Sequence, residues 1–364
     1  FHSKGVRVFI WITGVINTDL QPLYDEAARK GYFLTKSPTD TTPFVAKWWK
    51  GNGSPIDFYN PEAVKWWKGL MDSVLALGID GWKVDGTDFV VLLGGGAYSR
   101  ALKSNVSRID YSRKYYNLFH DHTRARLGID RVNTTRPIDT YFGLQGVSIA
   151  NAENFSFSDK ANCWAGWVGD QDPDYKGLKV ALDNMYLSAA YGYLSFGSDI
   201  GGYREDNSLM PLGRTQDIFI RWAQFGAFCS IMENGGGGEH RPWIFGPDAL
   251  RIYRKFTKLH HAMIPYLQAS ADSAWRLKKS IYTFLDRTNY RYLLGSDLFI
   301  QPILKVPANN INIELPQDGK WIYLFDQTKV FDGGTTVNMS FTYDEFPVFV
   351  RQGAKVLELL NKAL

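Results

Sequence analysis

Gly78-Ile79-Asp80-Gly81-Trp82-Lys83-Val84-Asp85-Gly86-Thr87-Asp88 is the stretch on which the reading of this chain turns. Glycines bracket an apolar run of Ile79, Trp82 and Val84, and Asp85 and Asp88 stand where that run stops. The pattern predicts a buried strand that ends in a carboxylate. α/β barrels carry their chemistry at the C-terminal ends of their strands. Asp-Gly also marks surface turns, so this stretch alone leaves both readings open.

The surrounding sequence favours the first. Upstream, Asn60-Pro61 sets a helix start, with asparagine as cap and proline at the first helical position. Val64, Trp67, Met71 and Val74 recur at helical spacing, and Gly78 is placed to end that helix. Residues 6–12 predict an earlier buried strand, followed by a loop rich in Gly, Pro, Thr and Trp that runs to about Tyr59. Downstream, a polar stretch with the turn Gly94-Gly95-Gly96 leads to a helix near 111–127 and a strand at 131–135. A strand at 163–168 ends at Gly169-Asp170, and Asp172-Pro173 opens a helix whose Leu178, Leu182, Met185 and Ala189 share a face. A strand at 193–196 ends at Ser198-Asp199-Ile200-Gly201-Gly202. Then come a helix near 215–224, a strand at 227–232 ending at Glu233-Asn234, and a helix over 247–261.

Repeated strand-helix punctuation with polar strand ends predicts a parallel α/β architecture. Counting residues 81–85, there are six strand candidates, so the expected fold is a (β/α)8 TIM barrel lacking its first strands in this chain. An open doubly wound sheet is the alternative, but its usual glycine-rich phosphate loop is missing. Beyond about Tyr290 short β runs at 292–294, 298–303, 311–315, 321–324 and 348–351 are separated by turns such as Gln317-Asp318-Gly319. They predict a small antiparallel β domain. The expected domains are a partial catalytic barrel, 1–289, and a C-terminal β domain, 290–364.

Composition narrows the function classes. The 41 basic and 37 acidic residues are interspersed and leave a net charge of only +4. With no basic block, nucleic acid is not an expected partner. No CxxC, HExxH or EF-hand loop is present, so neither metal nor cofactor is expected. No apolar run reaches the length of about 18 residues that suggests a membrane span, so no membrane partner is expected. Cys163 and Cys229 are too few for a disulfide framework. Compartment and oligomeric state are not legible.

Asp85, Asp170 and Asp199 all fall at expected strand ends, and in a barrel such ends converge on one face. Two carboxylates flanking an acetal are what glycoside hydrolysis needs: one attacks the anomeric carbon, the other protonates the leaving oxygen and then activates water. Trp11, Trp82, Trp164 and Trp167 flank the same strand ends, where they serve either as core or as apolar walls around a sugar.

At these residues the chain resembles glycoside hydrolase family 31, which holds α-glucosidases and α-xylosidases. Phe1-His2-Ser3-Lys4-Gly5 followed by Trp11-Ile12 resembles the family's Leu-His-x-Lys-Gly and Trp-Ile segment. Ile56-Asp57-Phe58-Tyr59-Asn60-Pro61 with Trp66-Trp67 is similar to the segment before the nucleophile strand, and Trp82-Lys83-Val84-Asp85 to that strand itself. Trp167-Val168-Gly169-Asp170 resembles the Trp-Ser-Gly-Asp of the acid/base. Ser198-Asp199-Ile200-Gly201-Gly202-Tyr203 resembles the His-Asp-Ile-Gly-Gly-Phe signature, and Arg221-Trp222-Ala223-Gln224-Phe225-Gly226-Ala227-Phe228 the family's next helix end and strand. The likeness covers about residues 1–270.

The resemblance implies a retaining exo-acting α-glycosidase with an α-linked glycoside or oligosaccharide as substrate. Asp85 would be the nucleophile and Asp170 the general acid/base. Asp199 would hydrogen-bond sugar hydroxyls in the −1 subsite, with Lys83 and Trp167 lining it. Arg136, in Thr135-Arg136-Pro137, either matches the arginine after the family's fifth strand or makes a surface ion pair. Trp11 and Trp164 are candidate walls. Two departures bear on the sugar. Thr87-Asp88 replaces the usual Asn-Glu two and three residues after the nucleophile. Met232-Glu233-Asn234 continues into Gly235-Gly236-Gly237-Gly238-Glu239-His240 where many members have Met-Arg-Asn-His. Asp88, Asn234 and His240 therefore join the candidate substrate contacts. The pattern is similar to α-galactosidase-like branches. A transglycosylase, or a carbohydrate-binding protein without catalysis, is the alternative.

Overall fold

A computed structural model describes residues 1–87, 97–138, 158–205 and 213–364. Asp88 and the Gly94-Gly95-Gly96 turn lie outside the described residues. The chain divides into two compact units, Phe1–Pro137 with Asn154–Ala165, and Ile138–Glu153 with Gly166–Leu364.

In the first unit, β1 (Phe9–Ile12) is followed by a small antiparallel sheet of β2 (Val15–Asn17), β3 (Ala46–Trp48) and β4 (Gly51–Pro55), with α1 (Leu23–Arg29) between β2 and β3. The segment expected as a plain loop is thus a built subdomain. Helix α2 (Pro61–Leu75) starts as predicted: the Asn60 side chain accepts from the Glu62 and Ala63 amides, and Pro61 needs no donor. Its buried Ala63, Trp67, Met71 and Leu75 repeat every four residues. Next come β5 (Gly81–Val84), the short pair β6 (Tyr98–Ser99) and β7 (Ser104–Asn105), α3 (Arg108–Leu127) and β8 (Thr134–Thr135). β1, β5 and β8 are parallel neighbours, with Trp11 opposite Lys83 and Lys83 opposite Thr134.

Period-two alternation sorts the two faces of β5. Trp82 and Val84 are buried, and Trp82 meets Phe119 of α3 edge to face. Lys83 and Asp85 point to the opposite side. Asn133 helps fix the register, its side-chain oxygen accepting from the Trp82 amide at 3.1 Å.

β9 (Ala165–Trp167) begins on the last residue of the first unit; in the second unit its Gly166 and Trp167 pair in parallel with β10 (Phe196–Gly197), with α4 (Tyr175–Tyr191) between them. Asp174 caps α4 by accepting from the Gly177 amide at 2.7 Å. Helix α5 (Gln216–Ala227) has every residue of 218–227 buried. Helix α6 (Pro247–Arg276) continues through Pro265, fifteen residues past its expected end at His261. An antiparallel β domain follows: β11 (Tyr282–Phe284), β12 (Tyr292–Leu294), β13 (Leu298–Ile300), β14 (Ile311–Glu314), β15 (Lys320–Tyr323), β16 (Val330–Asp332), β17 (Thr336–Met339) and β18 (Val348–Arg351). Six of these form one sheet in the order β11-β12-β13-β18-β15-β16.

Two expected strands are corrected. The strand expected as buried over 6–12 is β1, Phe9–Ile12, with Phe9, Ile10 and Trp11 39%, 37% and 37% exposed. Residues 227–232 form no strand: α5 runs through Ala227, and the Phe228 and Cys229 amides turn back onto the carbonyls of Phe225 and Gly226. A continuous apolar run fits a buried helix end as well as a strand. Glu233 alone pairs with Asp199, as an isolated parallel bridge. The other parallel strands are shorter than their apolar runs, because pairing stops where the backbone turns toward the polar ends.

Two polar residues of α5 tie down the 341–345 loop. Arg221, 2% exposed, donates to the carbonyls of Phe341, Thr342 and Glu345, and Gln224, fully buried, donates to those of Tyr343 and Glu345. Hydrogen bonds to charged groups contribute about 1.5–3 kcal/mol each, net of exchange with water. Arg221→Met is expected to lower unfolding stability by about 2–4 kcal/mol, read as a drop in urea midpoint, whereas a surface substitution such as Lys305→Met is expected to change it little.

Candidate active site

Asp85 follows the last residue of β5, and its amide donates to the Ile12 carbonyl at 3.0 Å, extending the β1–β5 ladder by one residue. Its carboxylate is gripped on both oxygens. Oδ1 accepts from Nε and Nη2 of Arg136, each at 2.8 Å, and from the Gly86 amide at 2.7 Å. Oδ2 accepts from the Trp11 indole at 2.9 Å. Arg136 comes off the end of β8 and is 4% exposed, so this pair is shielded from water and its two-point geometry is held. Gly86 permits that approach, since a Cβ there would lie 2.8 Å from Arg136 Nη2.

Helix α3 secures the same strand ends from behind. Tyr116 reaches the carbonyls of Arg136 at 3.0 Å and Asp85 at 3.4 Å, Tyr115 reaches Ile12, and Tyr111 reaches Gly14. Burial raises the Tyr115 and Tyr111 phenols well above their ordinary value, so they serve as neutral donors. These tyrosines escaped the sequence reading, where their helical spacing signals only a core face.

A second missed feature is aromatic. Trp11, which bonds Asp85, stacks on Trp48 at 6.5 Å and meets Trp49 edge-on at 5.6 Å. Trp49 is 68% exposed and Trp11 37%, so open ring surface extends outward from the carboxylate. Adjacent tryptophans between Lys47 and Lys50 in a polar stretch were the available signal.

The second unit gathers the other candidates. Gly169 adopts φ +97° between β9 and Asp170, and Trp167 is buried on β9. Asp199 follows β10 and is fully buried, with the Ile200 amide donating to Glu233 at 3.0 Å. The two loops are stitched: the Arg204 amide donates to Gln171, and Arg204 pairs with Asp172 at 2.8 Å. Gly202, at φ +84°, allows the contact, since a Cβ there would sit 2.6 Å from the Asp172 carbonyl. The glycine-rich segment packs on this turn through the Gly237 amide, which donates to Tyr203 at 2.8 Å. Asn234 donates to the His240 carbonyl, and His240 Nε2 meets the Gly237 carbonyl at 3.2 Å. Asn234 and His240 thus hold their own segment together.

Among the candidates, Asp85, Arg136, Trp11 and Lys83 come together in the first unit, and Asp170, Trp167, Asp199, Asn234 and His240 in the second. Trp164 does not join the Asp85 cluster. It precedes β9, at the end of the strand opposite to Asp170, and packs against His120 and Arg124 of α3.

Two predictions follow from this geometry. Gly86→Ala is expected to cost about 1–3 kcal/mol by overpacking, and less than half of that in an Arg136→Ala background; equal costs in both backgrounds, measured by urea unfolding, exclude the contact. Burial and the Arg214 charge lower His240 from 6.5 to about 4. The unfolded chain then takes up a proton as pH falls through about 6.5, while the folded chain does so only near 4, so stability drops across that window. His240→Gln is expected to flatten the fall in urea midpoint between those two pH values and to leave the slope above pH 7 unchanged.

The comparisons with known proteins converge. The family description "Glycosyl hydrolases family 31 TIM-barrel domain" matches residues 1–270, and "Glycosyl hydrolase family 31 C-terminal domain" matches 277–356. An alpha-xylosidase of Emericella nidulans is 25% identical over 97% of this chain and 44% of its own length. Alpha-xylosidase XylQ of Lactiplantibacillus pentosus is 27% identical over 98% of this chain and 45% of its own. A solved family 31 sulfoquinovosidase from E. rectale, in complex with an aza-sugar inhibitor, superposes with TM-score 0.81 at 21% identity, covering all of this chain and 53% of that one. The chain spans about half the length of the curated relatives it matches.

Proposed function

Because this chain belongs to glycoside hydrolase family 31, with a TIM-barrel domain and a C-terminal β domain, we propose that it carries the catalytic centre of a retaining exo-α-glycosidase. Its substrate is a terminal α-linked sugar, with galactoside and glucoside the first to test. The observation that carries the reading is the Asp85 carboxylate, held by Arg136, Gly86 and Trp11 at the end of a parallel strand. A nucleophile must be aimed before it reacts, and these donors fix both oxygens of this one.

In the proposed reaction an Asp85 oxygen attacks the anomeric carbon as the glycosidic bond breaks, and the leaving oxygen takes the Asp170 proton. This forms a glycosyl ester on Asp85 and releases the aglycone. Asp170, now ionised, takes a proton from water, whose oxygen attacks the anomeric carbon and frees Asp85. Two inversions give net retention, which requires the carboxyls to lie roughly 5–5.5 Å apart in the working site. The family resemblance gives Asp199 the sugar hydroxyls as partners and makes Lys83 and Trp167 candidate contacts to the same sugar. The exposed faces of Trp11 and Trp49 suit the apolar face of a pyranose. Site groups that bond hydroxyls reject sugars lacking them strongly, which makes the Asp199 turn and the glycine-rich segment the places where sugar identity is decided.

A sugar hydroxyl replacing water in the second step makes the same centre a transglycosylase. A binding protein without catalysis is the alternative from another class, and two aspartates in intact motifs weigh against it. The names of the relatives widen the panel: nitrophenyl α-glucoside, α-galactoside, α-xyloside, α-N-acetylgalactosaminide and α-sulfoquinovoside, offered to the full-length protein and to Asp85→Ala. The expected result is one α-glycoside cleaved with retention by NMR, and a loss of at least about 10⁴-fold in the variant. Cleavage that survives Asp85→Ala, or release of the inverted sugar, overturns the assignment.

A further inference from the structure

The segment from Gly235 to Gly238 contains no side chain with which to anchor itself, and each glycine loses more backbone freedom on ordering than any other residue. Something outside the segment must hold it. Asn234 and His240 hold its two ends, and the Gly237 amide rests on the Tyr203 carbonyl; the side-chain anchor from outside is Arg214. The residue is 2% exposed, and among the described residues its hydrogen bonds end on backbone carbonyls. Nη2 donates to Gly237 at 2.8 Å and Nη1 to Glu239, both in the glycine-rich segment. The same Nη2 donates to Gly202 at 3.2 Å and reaches Arg204 at 3.5 Å, while Nε donates to Gly201 at 3.3 Å. Gly201 and Gly202 are the turn that directly follows Asp199-Ile200.

One planar guanidinium therefore bridges two backbone segments. One carries Asp199, which is fully buried and whose charge acts on Arg214, and the other replaces the family's Arg-Asn-His. We infer that Arg214 is a positioning residue: it fixes the glycine-rich segment against the Asp199 turn and so sets the shape of the wall that reads the sugar. It acts through backbone and does not touch substrate. The inference rests on the proposed glycosidase reading for its consequence, though not for the clamp itself. A lysine cannot substitute, since an ammonium is a compact point charge that lacks the rigid fork needed to span carbonyls on two segments.

The test compares wild type, Arg214→Lys and Arg214→Met in the full-length protein. Three quantities are read: KM and kcat for the cleaved nitrophenyl α-glycoside, the ratio of kcat/KM between the best and second-best glycosides, and limited proteolysis mapped by mass spectrometry. Both variants are expected to melt cooperatively and to gain a cleavage site within residues 235–239. Their kcat/KM is expected to fall about a hundredfold, the scale of a misplacement near 1 Å, mostly through KM, with the discrimination ratio compressed. Arg214→Lys is expected to regain melting temperature but not the ratio. If both variants keep KM and the ratio within about twofold of wild type, the positioning role is overturned. If a variant loses activity only in proportion to lost folded protein, Arg214 is structural and the inference fails. A wild type inactive on every glycoside sinks the glycosidase reading; the clamp then stands if the variants gain the loop cleavage and falls if they do not.

Discussion

A parallel strand that ends at a functional face leaves carbonyls directed at no neighbouring strand, and each needs a donor once water is excluded. In the first unit Tyr116 of α3 supplies one to Asp85 and Arg136, while Tyr115 and Tyr111 add a second donor to the Ile12 and Gly14 carbonyls, which already accept from the Asp85 and Ile56 amides. In the second, Arg214 and the Asn184 and Gln171 amides supply them, the latter two meeting on the Val168 carbonyl. Each loop bearing a candidate reactive group is thus satisfied by a side chain from elsewhere in its own unit. This constraint explains why the loops are defined while their sequences are rich in glycine and aspartate.

The same constraint separates the side chains on one face of β5 from those on the other. Asp85 faces the site side of β5, while Trp82 and Val84 bind the strand to the helical layer. Arg136 contacts the Asp85 carboxylate directly. Tyr116 bonds the backbone of both partners, so the two ends of the ion pair share one hydroxyl as a common reference. A rigid pair of this kind limits the ways in which the Asp85 carboxylate can rotate.

Much of this was legible in the sequence. Strand β5, the cap at Asn60 and the Asp-Ile-Gly-Gly turn are local signals, and each depends on residues within a few positions of one another. Asp85 and Arg136 were both named, but not as a pair, because 51 positions separate them and only the β5–β8 register brings them together. The 227–232 run was misread because an apolar stretch has no period to show whether it ends a helix or makes a strand. Trp164 was misplaced by one residue's worth of direction: it stands before β9 rather than within it, and its ring serves α3. The tyrosine donors and Arg214 were invisible for a different reason. Their partners are carbonyls, which every residue has, so no side-chain pattern announces them.

Helix α5 has a further consequence. With residues 218–227 all buried, it has no solvent face on which substitutions are free. Its interior positions are filled by large rings and aliphatics, and its two polar members are committed to the 341–345 loop. Neutral drift has nowhere to enter such a segment. Exposed helices in the same chain change composition at little cost, whereas here each letter is bound by shape or by a backbone acceptor. The run Arg221-Trp222-Ala223-Gln224-Phe225-Gly226-Ala227 therefore has few tolerated spellings, because its packing leaves each position one shape to fill.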